Sequence, residues 1–269
     1  MIINDSELQF GELAYECRIV VFYDVLGWRS EIIDAGNDPR RIARLAGLVR
    51  MFSPSVLNVT EKIEGAHFTA FSDNVVFSVP YNSDQFAATL QSMALTQIAL
   101  ASAGFWVRGG ITVGDLVHDA DIVFGPALVR AHYLESERAK YSRFLIDPVL
   151  PPDASLDETF ITTTDGESFL DPFYPSFIDG LRGRLPPMGE THRNYERATG
   201  IKLQPLGQTF SSDYVLKLII HRLTRELMAS TNVAALAKLA WLFDHISARR
   251  GSTMRARHII NNLIDLGNE

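Results

Sequence analysis

The order of apolar segments along the chain predicts an α+β protein: a ferredoxin-like βαββαβ core with a C-terminal helical extension. Ile19 to Tyr23 is a run of β-branched and aromatic residues, which is typical of a buried strand. Two further short apolar runs flank the turn sequence Ser72-Asp73-Asn74, as in a hairpin. Helix-periodic segments separate these strands, so the expected order is strand, helix, hairpin, helix, strand, helix and strand.

The boundaries of these elements follow from cap, proline and glycine positions. Asp38 precedes Pro39 and is a natural N-cap, so a helix is expected to begin there. Gly114 is expected to turn the chain after the strand that begins at Phe105. The expected elements are helices over 39–52, 56–63, 83–103 and 126–140, strands over 105–113 and 143–146, and an extended run that ends at 124.

The second half of the chain predicts a connector followed by helices. Residues 148–157 are rich in proline and aspartate, and Asp165-Gly166 predicts a small hairpin of strands over 159–164 and 168–170. Residues 179–208 are expected to be irregular, and helices are expected over 214–229, 232–250 and 253–266, the second capped by Ser230 or Thr231. We divide the chain into a core at 1–150, a hairpin and irregular connector at 151–210, and a helical extension at 211–269. The extension either packs on the core or on a partner, or forms a regulatory module.

Composition limits the classes of protein and partner. The 269 residues carry a net charge of -7, which argues against non-specific binding to nucleic acid. No apolar run approaches the ~20 residues of a membrane helix, and the N-terminus lacks the basic segment of a signal peptide. Cys17 is the single cysteine, so there is no internal disulfide, as is usual in the cytosol. We therefore expect a cytoplasmic protein with no membrane segment and no nucleic-acid partner.

Two carboxylates stand at strand ends 49 positions apart. Asp24 ends the first strand, and Asp73 lies at the tip of the hairpin. If the two strands are neighbours, the acids repel each other unless a divalent cation lies between them. Such a pair suits a two-metal site for phosphoryl transfer. The alternative is that Asp24 only caps the turn that follows it.

Three stretches occur in a recognisable order: FYDVLGW at 22–28, FSDN at 71–74, and RGGITVG at 108–114 with a helix opening at Gly125. Over about 18–148 they resemble the catalytic domain of class III nucleotidyl cyclases, the adenylate and guanylate cyclase family. The resemblance implies that Asp24, Asp73 and the backbone carbonyl of Val25 bind two Mg²⁺ or Mn²⁺ ions. It also implies that Gly27 and Trp28 face the phosphates, and that a homodimer forms composite sites between its subunits.

The helix that opens at Gly125 departs from the family. The family's asparagine and arginine fall on Val129 and Tyr133, and tyrosine cannot carry the charge that stabilises the transferring phosphate. Arg130 lies three residues before Tyr133, on nearly the same helical face, and is the candidate catalytic cation. Otherwise the enzyme lacks this charge or is inactive. On the strand before this helix, we interpret Arg108 as a structural ion pair rather than a functional residue.

The base-contacting positions depart as well. Adenylate cyclases have lysine four residues before the second aspartate and Asp or Thr three residues before the helix-opening glycine; Thr69 and Ile122 stand there. This resembles the bacterial Pycsar pyrimidine cyclases of anti-phage defence, which implies conversion of UTP or CTP to the cyclic monophosphate. Phe52 is a candidate for a pocket wall, and its alternative role is core packing. The alternatives are a purine cyclase with a rewired pocket and a catalytically silent nucleotide-binding regulator. A diguanylate cyclase is disfavoured because its GG-[DE]-EF hairpin is missing.

Overall fold

The computed structural model describes residues 14–52, 64–180, 211–230 and 232–259. These form one mixed sheet with helices on both faces. The elements in order are β1 (Glu16–Val25), α1 (Trp28–Ala35), α2 (Pro39–Phe52), β2 (His67–Phe71), β3 (Asn74–Pro80), α3 (Ser83–Ala103), β4 (Val107–His118), β5 (Val123–Phe124), α4 (Pro126–Tyr133), a π-helical turn (Leu134–Arg138), β6 (Phe144–Ile146), β7 (Ile161–Thr164), β8 (Glu167–Leu170), α5 (Pro175–Gly180), α6 (Ser212–Ala229) and α7 (Val233–Arg249).

The sheet order is β2-β3-β1-β4-β6-β8-β7, with β5 paired to β4. The four strands β2, β3, β1 and β4 are antiparallel neighbours, and helices connect β1 to β2 and β3 to β4. This is the strand order of the ferredoxin-like βαββαβ unit. The α+β class and the ferredoxin-like core predicted from the sequence are therefore confirmed.

The central strand, β1, is buried on both faces, which explains its unbroken apolar sequence. Ile19, Val21 and Tyr23 lie in the main core, which also contains residues of α3, α6 and α7. Val20 and Phe22 point to the other face and pack with Ala127 and Ala131 of α4 and with Val76 of β3. Because side chains alternate along a strand, the residue at position 24 follows on this second face.

The expected turn at Gly114 is wrong. β4 runs without a break from Val107 to His118, and Gly114 pairs with Arg18 of β1. The glycines of β4 serve close packing instead. A Cβ atom at Gly110 would overlap the carbonyl oxygen of Ala131, and one at Gly109 would lie 2.6 Å from the ring of Phe144. Glycine at these positions lets α4 and β6 approach the strand.

The first and fourth helices also differ from expectation. α1 was not predicted; it begins directly after Gly27, whose φ of +82° turns the chain out of β1. The helix expected over 126–140 stops as an α-helix at Tyr133 and continues as the π-helical turn, closed by a 2.8 Å hydrogen bond from the amide of Ala139 to the carbonyl of Leu134. The predicted cap of α2 is confirmed: Asp38 accepts a 2.8 Å hydrogen bond from the amide of Arg40.

The C-terminal half largely follows the predictions. The hairpin β7–β8 turns at Asp165 and Gly166, both with positive φ as in a type I′ turn, and β8 pairs with β6 in the main sheet. The predicted α6 and α7 are present. Asn232, rather than Ser230 or Thr231, caps α7 by accepting from two backbone amides. The expectations for 56–63, for 181–208 and for 260–266 lie outside the described residues.

A buried ionic cluster joins α7 to the sheet. The carboxylate of Asp171, fully buried after β8, lies 2.9 Å from His245 Nε2 and accepts hydrogen bonds from Arg249 and Thr162. These partners hold the pKa of Asp171 below its usual value, although burial opposes them. Asp171 therefore adds an ionic contact to the apolar packing of α7, whose Leu242, Phe243 and Ile246 lie in the main core.

We expect Asp171→Asn to lower the free energy of unfolding by about 3 kcal/mol, because Arg249, which is only 25% exposed, loses its buried counter-ion. Chemical denaturation of both proteins measures this. Asp213→Asn is the control: Asp213 pairs with Lys217 and Arg250 at the surface, so its midpoint should hardly move. Equal effects of the two changes would contradict the assignment.

Candidate active site

The two predicted metal ligands lie at the same end of neighbouring strands. β1 and β3 are antiparallel, and their last pair joins Tyr23 to Val75. One step further along each strand, Asp24 is level with Asn74, and Asp73 is the next residue in the turn. Asp24 is 17% exposed, and Asp73 is half-buried. The two carboxylates can act together only if their strands are neighbours, and β1 and β3 are neighbours.

Trp28 positions the turn that carries Asp73. Its indole Nε1 donates a 3.0 Å hydrogen bond to Ser72 Oγ, and the ring is buried. Ser72 has a φ of +59°, whereas Asp73 does not have positive φ; this is the pattern of a type II′ turn, whose first position favours glycine. A serine there costs some strain, and the bond from Trp28 offsets it. Trp28 thus acts on the site through Ser72, and Gly27 provides the left-handed residue that precedes it.

Asp24 is held by the cation opposite it on β4. Arg108 pairs with Asp24 in the strand register, and its Nε and Nη2 donate to Oδ1 and Oδ2 at 3.1 and 3.2 Å. Arg108 therefore forms the ion pair that the sequence favoured, and its partner is the candidate ligand itself. Arg108 Nε also lies 2.7 Å from Oε1 of Glu135, which the sequence had not singled out. Glu135 reaches this place from the π-helical turn.

The site is short of positive charge. Two carboxylates share the single guanidinium of Arg108, so the three groups together carry a charge of -1 when both acids are ionised. Burial raises the pKa of Glu135 to about 7, and the negative charge of Asp24 adds to this effect while Arg108 opposes it. Hard carboxylate oxygens suit Mg²⁺ or Mn²⁺, so Asp24 and Asp73 fit the predicted ions. In the described ranges, no cluster of three or more His, Cys, Asp or Glu side chains has the arrangement of a metal site.

Arg130 is fixed by a buried carboxylate. Its Nε and Nη2 both donate to Asp147 at 2.8 Å, and Asp147 also accepts from Thr112 and from the amide of Val149. The Arg130 side chain is nevertheless 40% exposed. The guanidinium lies 5.4 Å from the ring centroid of Tyr133. Arg130 is thus both a structural partner of Asp147 and an oriented cation at the surface of α4.

A second arginine, Arg138, also lies near Tyr133, and the interaction with this tyrosine raises the pKa of Arg138. Arg138 forms a 2.9 Å ion pair with Glu167. Arg130 and Arg138 line one recess of about 40 Å³ with Glu167. Two cations therefore flank the tyrosine that occupies the family's arginine position. Tyr133 and Arg138 are five residues apart, a spacing that does not place two side chains on one face of an α-helix. The π-helical turn between them brings the two side chains closer together.

The two base-contacting candidates lie at the β2 edge and in the loop before β5. Thr69 on β2 is half-buried, and its Oγ1 is 3.0 Å from Nε2 of His118. Ile122 is 40% exposed and donates its backbone amide to Asp119 Oδ1. Burial lowers the pKa of His118 to about 4, with further contributions from His67 and Arg18. The side chain of Phe52, at the end of α2, lies outside the described residues.

No family model matches the chain, and no curated protein matches it. Solved structures of cyclase domains do match the chain. The guanylyl cyclase domain of the RhoGC fusion protein from the aquatic fungus Blastocladiella emersonii is 12% identical, with 58% of this chain and 95% of that chain covered and a TM-score of 0.45. A bacterial light-regulated adenylyl cyclase is 14% identical over 73% and 60%, with a TM-score of 0.43. A class III adenylyl cyclase-like ATP-binding protein from Pseudomonas aeruginosa is 13% identical over 81% and 46%, with a TM-score of 0.40.

At these identities and TM-scores the likeness carries no conclusion about activity, which has to be argued from the residues of this chain. Within the ranges that the structure describes, no helix combines the length and the apolar character that crossing a bilayer requires.

The pKa of His118 gives a pH dependence that can be measured. Its pKa is about 4 in the folded chain and about 6.5 when exposed, so the unfolded chain binds more protons between these values. The free energy of unfolding should therefore fall as the pH drops from 6.5 to 4, by on the order of 2–3 kcal/mol from this residue. Denaturation at a series of pH values should show a shallower slope for His118→Gln. His221→Gln, at an exposed position on α6, should keep the wild-type slope; if both variants keep it, His118 titrates normally.

Proposed function

We propose that this protein is a class III-type nucleotidyl cyclase that converts UTP or CTP into the 3′,5′-cyclic monophosphate and pyrophosphate. The observation that carries the proposal is the position of Asp24 and Asp73 at one end of adjacent strands in a ferredoxin-like core. The motifs around them occur in the order of the cyclase family. In this proposal the core at 1–150 carries catalysis, 151–210 connects, and the helices of 211–269 are an extension.

In the proposed reaction, the substrate 3′-hydroxyl attacks the α-phosphorus in line and pyrophosphate leaves. Asp24, Asp73 and the carbonyl of Val25 would hold two Mg²⁺ or Mn²⁺ ions, which supply Lewis acidity at the hydroxyl and the triphosphate. Arg108 fixes the orientation of Asp24 through its two hydrogen bonds. Gly27 has no atom within 4 Å of the position of a Cβ, so a phosphate can approach its backbone.

The positive charge for the transition state is assigned to Arg130. Asp147 orients its guanidinium, and the side chain remains 40% exposed, so it can reach a phosphate oxygen. Tyr133 contacts both Arg130 and Arg138, and is proposed to lie beside the substrate. Arg138 is a second source of charge at the same place. A cation in this position is worth several powers of ten in rate.

The preference for a pyrimidine rests on the absence of the groups that bind adenine. Thr69 offers one hydroxyl, and Ile122 offers apolar surface. A site without the matching hydrogen-bonding groups discriminates poorly in favour of adenine. The further proposal, that the cyclic product is a second messenger in bacterial anti-phage defence and that the enzyme acts in the cytoplasm, rests on the resemblance to Pycsar cyclases.

A homodimer with composite sites is also proposed. Large apolar side chains are exposed on the hairpin, α4 and β5: Phe71 at the hairpin tip is 81% exposed, Val129 on α4 is 71% exposed, and Phe124 on β5 is 45% exposed. Burying such residues in an interface is favourable, and a second copy of the chain supplies the same surface.

A second candidate function is a silent nucleotide-binding regulator. The ion pairs of Asp24 with Arg108 and of Arg130 with Asp147 favour it, because each candidate catalytic group already has a partner. Purified protein incubated with each of the four ribonucleoside triphosphates and Mn²⁺ separates the two. Formation of a cyclic pyrimidine nucleotide supports the proposal, faster conversion of ATP or GTP makes the protein a purine cyclase, and binding without product supports the regulator.

We expect Asp24→Asn and Asp73→Asn each to abolish product formation, since an amide loses the charge that holds a cation. The loss should exceed 10²-fold in kcat, given the usual size of such electrostatic effects. Cyclic nucleotide is quantified by mass spectrometry, and thermal unfolding verifies the fold. Asp84→Asn, exposed in the first turn of α3, is the matched control and should remain active. Near-normal turnover of a stable Asp73→Asn protein would sink the metal-pair assignment.

The composite site can be tested by mixing inactive chains. If Asp24 of one subunit works with Arg130 of the other, heterodimers of Asp24→Asn and Arg130→Lys chains contain one intact site. Lysine is chosen because it keeps a charge for the buried Asp147. Mixtures should regain activity that neither variant shows alone. If differently tagged chains are co-purified and show no recovery, either the site lies within one chain or Arg130 is not its cation.

A further inference from the structure

A chain of hydrogen bonds runs across one face of the sheet and ends at Thr69. Arg18 Nε lies 2.9 Å from Ser78 Oγ, Ser78 Oγ lies 2.8 Å from His118 Nδ1, and His118 Nε2 lies 3.0 Å from Thr69 Oγ1. Ser78 pairs with Val20, and Thr69 pairs with Val76. Val20 and Val76 lie on the α4 side, so this chain lies on the face to which Asp24 belongs.

The direction of every bond in this chain is determined by chemistry. A guanidinium can only donate, so Ser78 Oγ accepts from Arg18. Ser78 is fully buried, and its hydroxyl hydrogen needs an acceptor; among its partners in the described residues, only His118 Nδ1 can accept. A neutral imidazole that accepts at Nδ1 carries its hydrogen at Nε2. His118 therefore donates to Thr69 Oγ1.

Thr69 is then left with one free function. Its oxygen already accepts from His118, and its own hydroxyl hydrogen has no acceptor among the described residues. The side chain is half-buried and lies on the sheet face that also carries Asp24. The hydroxyl is thus available as a hydrogen-bond donor to a ligand on that face.

We propose that the Arg18–Ser78–His118 chain makes Thr69 a donor to position 4 of the pyrimidine ring, so that uracil is accepted over cytosine. This rests on the proposed cyclase function and narrows its substrate to UTP. Uracil presents the O4 acceptor where cytosine presents the N4 amino donor. A donor that faces a donor leaves both groups without a partner, which is more costly than a missing contact. The same polarity ranks GTP above ATP for any residual purine turnover, because O6 accepts and N6 donates.

The direction of the hydrogen bond from His118 to Thr69 does not depend on whether the His118 ring is neutral. The pKa of about 4 keeps the ring neutral at ordinary pH, and the groups that face it are His67, Arg18 and Asp119. If the ring gained a second proton, Nε2 would still donate to Thr69. The alternative role of this chain is structural, because Arg18 also binds the carbonyl of Gly65 and the carboxylate of Glu16 next to the edge strand. The test must separate the two roles.

The tautomer of His118 can be tested by a measurement that does not depend on enzymatic activity. In protein labelled with ¹⁵N-histidine, the His118 resonances, identified by their absence from His118→Gln, should show a protonated Nε2 and an unprotonated Nδ1 at pH 7. A protonated Nδ1 with an unprotonated Nε2 would reverse the chain, make Thr69 donate to His118 and overturn the proposal.

Selectivity is tested by binding as well as by turnover. The 3′-deoxy forms of UTP and CTP lack the attacking hydroxyl and cannot be cyclised. The difference between their affinities, measured by calorimetry, therefore reports the preference for one base. We expect 3′-deoxy-UTP to bind tighter by roughly tenfold or more. Thr69→Val should remove most of this preference, and Thr69→Ser should keep it. Thr163→Val, a matched change at an exposed position of β7, should leave it unchanged. Thermal unfolding confirms that each variant is folded.

The outcomes distinguish this proposal from the proposed function. If 3′-deoxy-UTP is preferred but no cyclic product forms from UTP, the cyclase function fails and the assignment of Thr69 stands. If product forms from UTP and CTP equally, or if Thr69→Val keeps the wild-type ratio of kcat/KM, the function stands and this assignment fails. If neither deoxynucleotide binds, or if cytidine is preferred, the assignment of Thr69 is overturned.

Discussion

The ion pair between Asp24 and Arg108 is the interaction on which the site depends. β1 is buried on both faces, so its buried charges are tolerated only where a partner is available: Ser78 and Glu16 for Arg18, and Arg108 for Asp24. The β1–β4 register places Arg108 directly opposite Asp24, and two hydrogen bonds fix the carboxylate. Whatever binds at Asp24 meets an acid of defined orientation, and any shift in the register of these strands would remove it.

The second contact of Arg108, with Glu135, requires α4 to lie close against β4. Gly110 provides the space, because a side chain there would overlap the carbonyl of Ala131. With the helix this close, the π-helical turn after Tyr133 brings Glu135 beneath Arg108 and Arg138 beside Tyr133. The charged groups of the site are therefore placed by two features together: the glycines of the RGG sequence, which allow close packing, and the π-helical turn.

Local patterns were enough to predict much of the fold. The apolar run of β1, the turn residues of both hairpins and the periodicity of α3 and α6 are short-range signals, and the structure contains all of these elements. Gly114 misled because a glycine that permits packing looks the same in sequence as one that permits a turn. Asp24 and Asp73 could be chosen as an isolated pair of acids at strand ends. Glu135, Arg138 and His118 could not, because their roles depend on a π-helical turn and on strand pairings between distant residues.

The two ends of the site use different physical means of recognition. At the acidic end, Asp24 and Glu135 share one guanidinium, so the site favours whatever brings positive charge, and a nucleotide accompanied by metal ions does so. Such attraction acts alike on every triphosphate and cannot distinguish bases. At the other end lies a neutral hydroxyl, that of Thr69, which three hydrogen bonds through His118 and Ser78 link to the buried cation Arg18. A directed neutral hydrogen bond adds little affinity but rejects a mismatched partner strongly. In the proposed cyclase, affinity for the phosphates and choice of the base therefore depend on different residues.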